Sequence, residues 1–189
     1  MLDYRGFGGS EGTPTVSGAL IDLKRGTEYL RLRYANTPRF LFGQSIGASL
    51  ALKFLSNQGN AENFRAAVIE SPFAGYRKIA REKIRYLPLV WPLLYPLTWF
   101  IDDQDSPARI GQPLSIPFLL MHGAEDVVVP VEHSRELLRL MGAGSEYKQV
   151  SGVGHLGVLE KREMREVFVK FLARFIHEAS QWMLHEKSD

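Results

Sequence analysis

The sequence predicts an α/β fold with a doubly wound, mostly parallel sheet, and three observations carry that prediction. Strand and helix signals alternate from one end of the chain to the other, as strand–crossover–strand units require. No internal repeat, low-complexity run or linker divides the 189 residues, so one domain over 1–189 is expected. Apolar residues make up 45% of the chain, enough at this length for a buried core.

The first helix is expected from about Val16 to Tyr34, where Leu20, Leu23, Thr27, Leu30 and Tyr34 recur at spacings of three and four. Asn36-Thr37-Pro38 ends it. Arg39–Gly43 (RFLFG) reads as a short buried strand, followed by an Ala- and Leu-rich helix from about Ser45 to Asn57. Ala66–Glu70 (AAVIE) is the next strand. Residues 71–116 are irregular, with a helix at about Tyr76–Arg85, and are expected to form a short cap-like insertion. Pro117–His122 (PFLLMH) and Glu146–Val150 are strands on either side of a helix at Val131–Met141. The last helix runs from about Glu160 to Leu184, with an apolar stripe of Met164, Val167, Phe168, Phe171, Leu172, Phe175 and Ile176.

Composition excludes several chemistries. The chain has no cysteine, which removes disulfides, thiolate metal sites and thiol nucleophiles. Lys and Arg number 23 against 21 Asp and Glu, a formal net charge of +2. With no basic block and no arginine-rich arm, nucleic acid is not an expected partner. Residues 1–12 contain no apolar stretch of the secretory kind. Cytoplasmic placement is therefore expected, an upstream targeting or anchor segment aside. Tyr86–Ile101 is strongly apolar, but Pro88, Pro92 and Pro96 rule out a simple membrane-spanning helix. It reads as a packed wall over the sheet ends or as an acyl- or membrane-facing surface. Arg77, Lys78, Arg81, Lys83 and Arg85 precede it as the wet face of a helix able to attract anionic head groups.

The sharpest motif is Gly43-Gln44-Ser45-Ile46-Gly47, a G-x-S-x-G between a strand and a helix. By chance the pattern should occur about 0.1 times in such a chain. A serine at a tight strand-to-helix turn has its hydroxyl lifted clear of the sheet. The flanking glycines let the turn close. The N–H of Ile46 then lies at a helix N-terminus, where it can donate to an oxyanion. Such a serine needs a base and an orienting acid, which follow it in the order acid, then histidine. His155, in the glycine-rich Gly152–Gly157, is the expected base. Among the other histidines, His122 is expected to pack at a strand end, and His133, His177 and His185 to be solvated on helices. Asp126 is the expected acid. Glu125 should point away from it, and Glu70 is the alternative acid. Asp102, Asp103 and Asp105 are expected to be solvated in a polar loop.

These residues give the sequence a family likeness. LDYRGFGGSEG (2–12), GQSIG (43–47), ESPF (70–73), HGAEDVVVP (122–130) and GVGHLG (152–157) resemble the α/β-hydrolase superfamily, in its serine aminopeptidase-like or lysophospholipase-like branch. The resemblance implies Ser45 as nucleophile, Asp126 as orienting acid and His155 as base. It implies no cofactor and no metal, and a small-molecule ester or amide substrate, possibly lipid-like. Ser45 stands where haloalkane-type relatives carry a carboxylate. In that family LDYRGFG belongs to the fourth of eight strands, so the fold is expected to lack the first three strands and most of the fourth, as an N-terminally truncated member would. Met1–Tyr4 then has no partner strand, and RFLFG becomes an exposed apolar edge. The histidine–glycine loop that supplies the family's second oxyanion donor also has no counterpart, and one such donor is worth roughly 10²–10³ in kcat. The alternative to a serine hydrolase is therefore a non-catalytic remnant or interaction module. A gene fragment and a natural miniature are the two origins considered.

Overall fold

The computed structural model describes residues 2–185, and side chains from Leu2 to Ile176. The expectations for His177 and His185 lie outside the described side chains. Helix α1 spans Val16–Arg33, with Thr15 as N-cap accepting from the Gly18 N–H at 3.1 Å. Strand β1 is Phe40–Gln44, helix α2 Ile46–Leu55 and the one-turn helix α3 Gln58–Ala61. Strand β2 is Ala66–Glu70, followed by α4 (Tyr76–Ile84) and α5 (Trp91–Leu94). Strand β3 is Phe118–Gly123, α6 Glu132–Leu137, β4 Glu146–Val150 and α7 Arg162–His185. None of the described helices is long and apolar enough to cross a membrane.

The four strands are all parallel, in the order β1-β2-β3-β4. Strands β2 and β3 are buried along their whole length, as central strands of a parallel sheet must be. Two apolar cores cover the two faces. Helices α1 and α2 supply one with Leu23, Leu52 and Phe54, and α7 supplies the other with Met164 and Phe171. Strand β1 pairs with β2 alone among the described strands. It is the exposed edge that the family likeness implies rather than the buried strand that its composition suggests: Phe42 is 44% exposed and leans edge-on against Phe168 of α7. Leu2–Tyr4 forms no strand. The loop that follows is instead tied to α1 by Arg5, whose guanidinium grips Asp22 at 2.7 Å and whose backbone N–H donates to it at 2.9 Å.

Several local expectations change. In α1 the inward stripe is Ala19, Leu23 and Thr27, whereas Leu30 and Tyr34 are exposed; the helix outruns the sheet it covers. Helix α2 stops at Leu55, and Asn57 caps a separate turn, α3, by accepting from the Asn60 N–H. The helix expected at Val131–Met141 is α6 followed by a 3₁₀ turn, Leu138–Leu140. Ile176 is exposed rather than on the buried stripe of α7.

Candidate active site

In a parallel sheet the loops that build a site emerge from the carboxyl ends of the strands, and here three of them converge. At the end of β1, Ser45 stands at φ 52° and ψ −118°, between strand and α2. Its N–H donates to the Glu70 carbonyl of β2 at 2.9 Å, which fixes the turn. Gly43 has to be glycine, because a Cβ there would lie 2.6 Å from the Gly47 carbonyl oxygen and 2.8 Å from the Ala48 Cα. Gly47 is different. A Cβ on it would meet nothing within 4 Å, so only the first glycine of the motif is needed for closure. Strain is concentrated around this site: the non-glycine residues with positive φ among those described are Ser45, Ser71 and Leu156. All three lie on loops following strand ends.

The loop after β3 carries Asp126, and the loop after β4 carries His155. His155 joins them: its Nδ1 is 2.7 Å from Asp126 Oδ2, and its Nε2 is 3.0 Å from Ser45 Oγ. With a carboxylate on one ring nitrogen, Nδ1–H donates to Asp126 and Nε2 is free to accept from the serine hydroxyl. Asp126 is fully buried at its side chain, while His155 keeps 17% exposure. The first expectation for a buried carboxyl is a raised pKa. Here burial is outweighed by the hydrogen bonds from His155 and the Val129 N–H and by electrostatic attraction to His155 and His122, so Asp126 lies below the usual carboxylate range. Its Oδ1 accepts from the backbone N–H groups of Val128 and Val129 at 2.9 and 2.8 Å.

A second histidine at Asp126 is not foreseen from the residue pattern. His122 is fully buried, as its strand position predicts. Its Nε2–H donates to the Val129 carbonyl at 2.8 Å and lies 3.2 Å from Asp126 Oδ2. Its Nδ1 accepts from the Ser134 hydroxyl at 2.6 Å. Burial, opposed by the Val129 carbonyl and Asp126, pushes the His122 pKa down and keeps the ring neutral. The period-two pattern of β3 shows only an inward-facing residue here, because the partners come from a loop and from α6.

The other carboxylates are placed elsewhere. Glu125 points away from Asp126 and accepts from the Val153 N–H at 2.8 Å, anchoring the His155 loop. Glu70, the alternative acid, is buried and takes the Gln44 amide at 2.7 Å and the Val158 N–H at 3.1 Å. It links β1 to the far end of the His155 loop and, among the described residues, makes no bond to a histidine. Asp103 is not simply solvated: it accepts from the Arg77 N–H at 3.0 Å and from the Ser106 hydroxyl, pinning the start of α4. His133 is a clear correction. It is fully buried, its Nδ1 accepts from the Ala74 N–H at 3.0 Å, and its Nε2 is 2.7 Å from Glu82 of α4. Helix α6 is packed beneath the 71–116 segment, so its polar position faces a neighbour rather than water.

Ile46 follows Ser45 at the first turn of α2, where the N–H has no intrahelical acceptor. Its side chain, 57% exposed, borders an apolar cavity of about 420 Å³ walled by Tyr4, Phe7, Val16, Ala19 and Leu50.

The model of the serine aminopeptidase, S33 family matches residues 1–111, which include the elbow but neither Asp126 nor His155. The YfhR protein of Escherichia coli O157:H7 is 33% identical over 179 residues, covering 91% of this chain and 59% of that protein. The lysophosphatidylserine lipase ABHD12 of Macaca fascicularis is 25% identical over 194 residues, covering 92% of this chain and 48% of the lipase. The chain thus spans roughly half to three fifths of these relatives. The Pyrococcus furiosus esterase Pf2001 shares the fold, with a TM-score of 0.71 at 22% identity over 92% of this chain and 68% of the esterase.

Proposed function

The chain belongs to the serine aminopeptidase, S33 family of α/β hydrolases, and on that premise we propose that it hydrolyses carboxylic esters or amides through an acyl-enzyme. The observation that carries this reading is the bridge made by His155 between Ser45 and Asp126, residues that α/β crossovers bring together from three separate loops. Ser45 Oγ attacks the carbonyl carbon as its proton passes to His155 Nε2. Asp126 holds the ring through Nδ1–H and stabilises the imidazolium that forms. The carbonyl oxygen, now an oxyanion, accepts from the Ile46 N–H. Collapse of this intermediate returns the proton from His155 to the leaving alcohol or amine. Water then repeats the sequence against the acyl-serine, with His155 as base again.

The apolar cavity beside Ile46 falls within the size range of small-molecule pockets. It suits an acyl group of an ester better than a charged peptide. The esterase and lysophospholipid lipase among the similar proteins favour the same class, a small and lipid-like ester.

Fluorophosphonate labelling tests the reading. The folded wild type should be labelled and Ser45→Ala should not. A wild type that is folded by circular dichroism yet takes no label points instead to a non-catalytic member of the family.

A further inference from the structure

Residues 86–101 contain no charged side chain, and most of them are exposed. Leu89 is 95% exposed, Phe100 86%, Leu93 76% and Tyr86 70%. Exposed apolar side chains gathered in one short segment exceed what a solvated surface needs. The segment is nevertheless well anchored. Arg77 donates to the carbonyls of Trp99 and Ile101 at 3.3 and 3.0 Å. Arg81 donates to Thr98 Oγ1 at 3.0 Å and lies over the rings of Tyr95 and Trp99 at 4.9 and 5.1 Å. Helix α4 therefore holds the apolar face outward as a fixed platform.

The charge beside it is one-sided. Arg77, Lys78, Arg81, Lys83 and Arg85 stand against Glu82 alone between residues 76 and 101. Among the described residues, only Lys78 of the five is in an ion pair, with Glu136. The rest of the chain is then net negative, since the whole carries only +2.

The geometry points to a docking surface for an anionic lipid bilayer, with the 86–101 segment set into the interface and the basic end of α4, where Arg85 is exposed, beside the lipid head groups. Tyr86, Trp91, Tyr95 and Trp99 are the amphipathic ring types that settle at that depth. Pro88, Pro92 and Pro96 keep the segment from forming a spanning helix, so it lies in the surface. A second copy fits less well, because it would cover the apolar segment but bring the same basic helix with it rather than anionic groups. Lys83 reaches the Val127 carbonyl beside Asp126 at 3.0 Å, so docking holds the site near the lipid–water boundary. None of this depends on the chemistry of Ser45.

The test is co-sedimentation of the full chain with vesicles of phosphatidylcholine, with and without phosphatidylglycerol. Binding is expected to the anionic vesicles and to fall several-fold when salt is raised to about 0.5 M. Arg85→Glu should weaken it about tenfold, and Leu89→Asp with Phe100→Asp should abolish it. Ser45→Ala should bind like wild type, which separates this surface from the hydrolase reading. Circular dichroism and turnover of a soluble acetate ester check that the surface variants are folded. Absence of vesicle binding by the folded wild type overturns the inference, as does equal binding with and without anionic lipid. A dimer that Leu89→Asp dissociates, without vesicle binding, overturns it in favour of self-association.

Discussion

Around Asp126 and His155, each carboxylate is tied down. Asp126 takes two backbone N–H groups and two histidines, Glu125 holds Val153, and Glu70 holds Gln44 and Val158. On the other side of Ser45, where α1 and the 2–15 loop face Ile46, the lining is apolar, Phe7 and Ile46 are more than half exposed, and the cavity is open. The contrast divides the chemistry. The half assigned to proton handling in the proposed mechanism is held in place by the described residues, and preorganisation of this kind would make a base effective. The half that would seat the acyl group presents one backbone donor and a greasy wall. Substitutions in the first half should therefore act on kcat, and those in the second mainly on KM.

The largest effect belongs to the group at the centre of the preorganised half. His155→Ala should lower kcat on an acetate ester by on the order of 10⁵–10⁶, as base removal does where the residues act as a unit. Steady-state kinetics with circular dichroism as a fold check measures this; a loss under tenfold would break the assignment. Asp126→Asn keeps the shape but presents an amide to Nδ1, and the imidazole loses its fixed tautomer. A fall of about 10⁴ in kcat is expected, with KM little changed.

Next in size is a change that touches none of the three residues. A Cβ on Gly123 would lie 2.3 Å from the Val153 carbonyl oxygen and 2.4 Å from that of Gly154. These are backbone atoms of the loop that carries His155, so they can yield only by moving it. Gly123→Ala should cost about 10² in kcat, the usual penalty for roughly 1 Å of misplacement. Gly154→Ala, whose Cβ would meet nothing within 4 Å, is the control and should be near wild type. Equal effects at the two glycines would mean that loop position is not what matters.

How well the sequence foretold these two halves follows the same division. The convergence of Ser45, Asp126 and His155 was legible because each sits in a glycine-marked turn on a loop that follows a strand, and strand β2 and β4 boundaries came out as read. His122 was legible as a packed strand-end residue but not as a neighbour of Asp126, and His133 was not legible as buried. Both sit on regular elements whose periodicity says only which way a side chain faces. The partners that give them meaning, Ser134 and Glu82, come from helices 12 and 51 residues away. The burial of β1 is misleading from composition alone, since RFLFG is as apolar as AAVIE, but the family likeness marked it as an exposed edge, and among the described strands β1 has one neighbour. The 86–101 segment gave no period at all because its three prolines break it into α5 and a 3₁₀ turn.

The smallest effect sharpens the role of the second histidine. His122 is held neutral by burial, with a pKa below that of a free histidine, whereas in the unfolded chain it titrates near 6.5. Between those two values the unfolded chain binds more protons than the folded one, so stability rises with pH across that window. Acidification from about pH 7 to about pH 5.5 should therefore lower the melting temperature, and the loss should level off below the folded pKa. Asp126 contributes with its own sign at lower pH. Its folded pKa is depressed, so its stabilisation is present above the ordinary carboxylate value and is lost only as pH falls through the folded one. His122→Gln replaces the ring by a group that still donates toward Val129 and Asp126 and accepts from Ser134, but does not titrate. Its melting temperature should depend less on pH in the upper window than wild type and equally in the lower one. The remaining histidines are common to both proteins and cancel in the difference. Parallel curves across both windows would show that His122 pays no protonation penalty, and that the packing around Asp126 is looser than the structure draws it.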